Sequence, residues 1–71
     1  MLERIENRIA LGRAIRAEAH VVVATRGRMA ETAAWLAARR PGLSESERAF
    51  REGVAQRVSR MFAFVGSERR H

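Results

Sequence analysis

Apolar residues recur at spacings of three and four through the first half of the chain. Leu2, Ile5, Ile9, Gly12, Ile15, Ala19, Val22, Met29, Ala33 and Leu36 follow one another along a single stripe. Such spacing stacks side chains on one face of an α-helix. Arg4, Arg8, Arg13 and Arg16, interspersed with Glu3, Glu6 and Glu18, hold the more polar flanks. The stripe weakens in the middle, where Arg26 falls on it and Gly27 sits beside it. Glycine costs about 1 kcal/mol against alanine inside a helix, and a break here would make three helices of the chain. Because Met29, Ala33 and Leu36 resume the stripe in phase, the pattern predicts one continuous helix over about 2–40. At 1.5 Å per residue it would be roughly 55 Å long.

The end of that helix is clearly marked. Arg39 and Arg40 suit the negative end of the helix dipole, and Pro41-Gly42 cannot continue the helix. Ser44, with Glu47 three residues on, forms a capping box, and Glu45 and Glu47 both favour a helix N-terminus. A second helix is expected over about 45–65, with Phe50, Val54, Val58, Met61 and Val65 on one face and Gly66 as its stop. Residues 67–71 read as a loose tail. The expected fold is all-α: one domain over 1–66, an antiparallel hairpin of a long and a shorter helix joined by a turn at 41–44.

A turn this short makes the two helices neighbours. Pairing outward from it sets Val65 roughly opposite Glu18 and leaves about the first 17 residues uncovered. That overhang carries Leu2, Ile5, Ile9, Leu11 and Ile15, an apolar patch that a second copy would bury. The expectation is therefore a homodimer forming a four-helix assembly. Its interface would comprise Leu2, Ile5, Ile9, Gly12, Ile15 and Ala19, the two small residues permitting close helix approach.

Length sharpens that expectation, since a core built from 71 residues is marginal without help. Cysteine is absent, which removes disulfides and thiolate metal sites and favours an intracellular setting. No apolar run approaches the ~20 residues needed to cross a bilayer, and the charged start Met-Leu-Glu-Arg lacks a signal-peptide core. The chain reads as a cytoplasmic protein with no membrane partner. His20 has no second metal ligand at a helical neighbour position, and Ser44 and Ser46 read as capping residues. With no Cys, Lys or Tyr and no His–carboxylate spacing, no catalytic residue, metal or cofactor is expected.

The formal charge is +6, and all 14 basic residues are arginine. Excess positive charge draws nucleic acid, anionic lipid or an acidic protein surface. The stretch from Ala38 to Ser46 resembles the middle of a helix-turn-helix, with Ala38, Gly42, Leu43 and Ser44 in register. Pro41 and Arg48 depart from that pattern by standing where apolar residues are usually buried. Nucleic-acid binding is accordingly the second choice. In size and layout, LERIENRIALGRAIRAEAH opening helix one and PGLSESERAF opening helix two, the chain resembles the small host-takeover proteins of phages that infect GC-rich bacteria. More narrowly it resembles the anti-activators of quorum sensing made by Pseudomonas phages, which are dimeric helical hairpins. The resemblance implies a non-enzymatic inhibitor in the host cytoplasm. It would bind and silence a LuxR-type transcription activator, with a pilus assembly ATPase as a second target. Under it the contact residues are placed at Arg13, Arg16, Trp35, Phe50 and Arg51, arginines and aromatics being the commonest interface hot spots.

Overall fold

The computed structural model describes the backbone of residues 2–69 and the side chains of 8–63. The described residues form three helices: α1 (Leu2–Arg26), α2 (Ala30–Ala38) and α3 (Glu45–Arg69), with a single 3-10 turn, Gly27–Met29, between α1 and α2. The chain is thus an all-helical hairpin whose first arm is broken. The continuous helix expected over 2–40 is corrected at Gly27, whose φ of +55° lies in the left-handed region that ends helices. Thr25 marks the approach to this break, its hydroxyl donating to the carbonyls of Val21 (2.9 Å) and Val22 (3.3 Å).

The break also shifts the phase of α2. Met29 and Leu36, expected on the buried stripe, are 60% and 65% exposed. Ala30, Ala34 and Ala38, one turn apart on another face of α2, are buried instead. They join Ala19 of α1 and Val54, Ala55 and Val58 of α3 as the buried apolar set of the described residues. Ile15, Val22, Val23, Trp35, Phe50, Met61 and Phe62 pack around the central cluster. Both α1 and α2 lie against α3 and also touch each other.

This geometry corrects the expected register. Glu18 does not face Val65: its carboxylate lies 3.8 Å from the Arg51 guanidinium, and Ile15 packs on Gly53. A Cβ placed on Gly53 would sit 2.7 Å from Ile15 Cδ1, so this glycine is where α1 and α3 approach closely. Gly12, expected to permit close approach of a second copy, has nothing of its own chain's other elements within 4 Å of such a Cβ.

The turn into α3 agrees with the sequence expectation. The Arg39 N–H bonds the carbonyls of Trp35 (3.1 Å) and Leu36 (3.2 Å), closing the last turn of α2. Gly42 takes a φ of +86°. Ser44 Oγ then accepts the Glu47 N–H at 3.1 Å, and its carbonyl accepts the Arg48 N–H at 2.9 Å, which starts α3. The helix does not stop at Gly66 but continues to Arg69. Without a left-handed conformation a lone glycine is tolerated inside a helix, at a propensity cost of about 1 kcal/mol. No helix among the described residues is long and apolar enough to cross a membrane.

Candidate protein-interaction surface

Phe50 and Arg51 occupy the second turn of α3, placed there by the Ser44 cap that fixes where the helix begins. Phe50 is half-buried and packs on the core. The Arg51 guanidinium carbon stands 5.5 Å from the Phe50 ring centroid, within cation–π range, while one terminal nitrogen approaches Glu18. Both charged side chains remain more than a third exposed, so this ion pair adds under about 1 kcal/mol. What the pair supplies is orientation of Arg51 rather than stability.

Arg51 and Ala37 are shared by two grooves. The first, of about 380 Å³ beside the turn, is lined by Ala37, Arg40, Leu43, Glu47, Phe50 and Arg51. The second, of about 230 Å³, runs between α1 and α2 over Val21, Val22, Ala33, Ala34 and Ala37, with Glu18, Arg26 and Arg51 at its charged positions. Val21 is 52% exposed there, and Leu36 of α2 and Met29 of the 3-10 turn are exposed but line neither groove. Apolar floors edged by arginines suit a helix or extended segment of another protein.

The five contact residues selected from the sequence do not form one patch. Phe50 and Arg51 are adjacent; Arg13 is exposed on α1 and lines neither groove. Arg16 is exposed along a different groove, between α1 and α3. Trp35 is half-buried against the core, its indole N–H donating to Ser59 Oγ at 3.0 Å. It ties α2 to α3 and acts chiefly as packing. Among the residues assigned to a dimer interface, Ile9 is 52% exposed and Gly12 is open, consistent with an uncovered face. Ile15 is half-buried on Gly53. Ala19 is wholly buried in the chain's own core and has no surface to offer a partner. The side chains of Leu2 and Ile5 lie outside the described residues.

Sequence reasoning missed Val21, Met29 and Leu36 as surface residues. Their signal was the alanine series at 30, 34 and 38, which competes with the Met29–Leu36 stripe for the inward face. The helix-turn-helix register also meets an obstacle. Arg48 is exposed rather than buried, and so are Glu45, Glu47 and Glu52 along the start of α3. No group of three His, Cys, Asp or Glu among the described residues is placed to hold a metal ion. No family model, curated protein or solved structure matches the chain.

Proposed function

We propose that the chain is a non-enzymatic protein-interaction module, a small dimeric inhibitor that silences a host protein by occupying its surface. The observation that carries this reading is the exposure of Val21, Met29 and Leu36, with Val21 on a groove that shares Arg51 with a second groove lined by Phe50. A chain this small, with alanine and valine at its centre, gains from covering such surface with another protein. A LuxR-type transcription activator in the bacterial cytoplasm is the target that the resemblance to phage anti-activators brings forward, with a pilus assembly ATPase behind it. Dimerisation would pair the Ile9 and Leu11 faces of two copies into a four-helix assembly.

The test is a gel-shift competition with a purified LuxR-type activator and its operator. Addition of the chain should release the DNA, and Phe50→Ala or Arg51→Ala should weaken that release by about tenfold or more, as for an interface hot spot. An activator that keeps its operator at saturating inhibitor would remove this target. The broader reading is tested by pull-down from nuclease-treated lysate, where stoichiometric capture should persist from moderate to high salt. Sedimentation equilibrium of Ile9→Ser with Leu11→Ser should show a loss of dimer, and a native chain that is monomeric at micromolar concentration would overturn the assembly.

DNA binding is the alternative, favoured by the charge of +6 and by the capped start of α3 after a glycine turn. It predicts capture that vanishes after nuclease and a log–log salt slope near −0.9 per contacted phosphate. The exposed glutamates at 45, 47 and 52 oppose it by repelling a phosphate backbone.

A further inference from the structure

A third groove, of about 290 Å³, lies between α1 and α3 and brings together Arg16, Arg57 and Arg60 with Gln56, Gly12 and Gly53. Three arginines from two helices line it, and no acidic residue does. Glu18, two positions beyond Arg16 and so on another face of α1, pairs with Arg51 instead. The Nε of Arg57 is buried and has no hydrogen-bond partner among the described residues. Leaving a buried donor unpaired costs about 1–3 kcal/mol, a cost that an acceptor reaching Nε would offset. Glycine at 12 leaves space open above α1, where an added Cβ would meet nothing within 4 Å.

We propose that this groove binds an acidic segment of a partner protein, its carboxylates pairing with Arg16, Arg57 and Arg60. The proposal rests on the reading of the chain as a protein-interaction module. The planar fork of arginine matches carboxylate geometry in two-pronged contacts. Two observations favour a peptide over a nucleic acid. The groove has no aromatic lining on which bases could stack. Glu52, exposed one turn before Gln56 on α3, interrupts the positive track that a continuous phosphate backbone would need. Ile9, three residues before Gly12 and 52% exposed, gives such a segment an apolar neighbour.

The test is fluorescence anisotropy with a dye-labelled Glu-Ala peptide, compared with a labelled single-stranded oligonucleotide of equal charge, at about 0.15 M salt. The native chain should bind the peptide saturably. Arg16→Gln with Arg60→Gln should weaken it roughly tenfold, the equivalent of two surface ion pairs. Arg28→Gln with Arg39→Gln, an equal loss of charge at exposed sites outside the groove, should change it less than about twofold on the same basis. Arg57→Gln should weaken binding in the same direction, and the exposed pair carries the test if that variant loses its helical circular dichroism. Equal losses in the two double variants, or no saturable binding of peptide, would overturn the groove while leaving the module reading intact. Tighter oligonucleotide binding through the same arginines would overturn both.

Discussion

Replacing Gly27 by alanine isolates the bend on which the fold depends. At a φ of +55° an L-residue with a Cβ loses about 1–2 kcal/mol relative to glycine. No atom lies within 4 Å of a Cβ built there, so the cost comes from the backbone alone and has no packing component. For 71 residues the unfolding entropy is about 0.15 kcal/mol per kelvin. The expected drop in melting temperature is therefore about 7–13 °C by circular dichroism. Gly27→Asn should lose markedly less, because asparagine visits the left-handed region more readily. An alanine chain could avoid the cost only by straightening its first arm, which would draw Ala30 and Ala34 out of the core and enlarge the radius of gyration in solution scattering. An alanine variant with native melting temperature and native dimensions would refute the reasoning.

Other substitutions probe the remaining contacts. Val58→Ala removes two methyl groups from a fully buried site and should cost about 2 kcal/mol in denaturant unfolding, whereas Leu36→Ala, at an exposed site, should stay within about 0.5 kcal/mol. Trp35→Phe and Ser59→Ala should each cost about 1 kcal/mol, and the double variant should cost little more than either, since both remove the same indole hydrogen bond. Additive losses in that cycle would show that the bond contributes nothing. Ser44→Ala should cost about 1 kcal/mol through the lost cap, with Ser44→Asp retaining most of the stability.

Much of the helical layout was legible because its signals are local. Pro41-Gly42 and the Ser44–Glu47 pair act through nearest-neighbour backbone chemistry, and the structure places the turn and the cap where they indicate. The bend at Gly27 was signalled by Arg26 on the stripe and by the glycine itself, but Met29, Ala33 and Leu36 resume the stripe in phase and argue for continuity. Alanine carries little hydrophobic weight, so Ala30, Ala34 and Ala38 gave no strong competing signal. Tertiary packing decides the other way, because α2 can approach α3 closely only over small side chains. Once the arm bends, α1 returns onto α3, and Ile15 meets Gly53 in a register that counting outward from the turn could not supply. The same long-range return builds the arginine groove, where Arg16 of α1 meets Arg57 and Arg60 of α3 from some forty positions away.

The alanine centre has a consequence at the level of the gene. A single-base change in an alanine codon yields glycine, serine, threonine, proline, valine, aspartate or glutamate, and only glycine among these is smaller. At Ala19, Ala30, Ala34, Ala38 and Ala55, all 4% exposed or less, nearly every such change inserts bulk or charge where helices already touch. The arginine codons on the surface can drift with little harm to folding. Genetic variation in this chain should therefore pass through its surface much faster than through its interior.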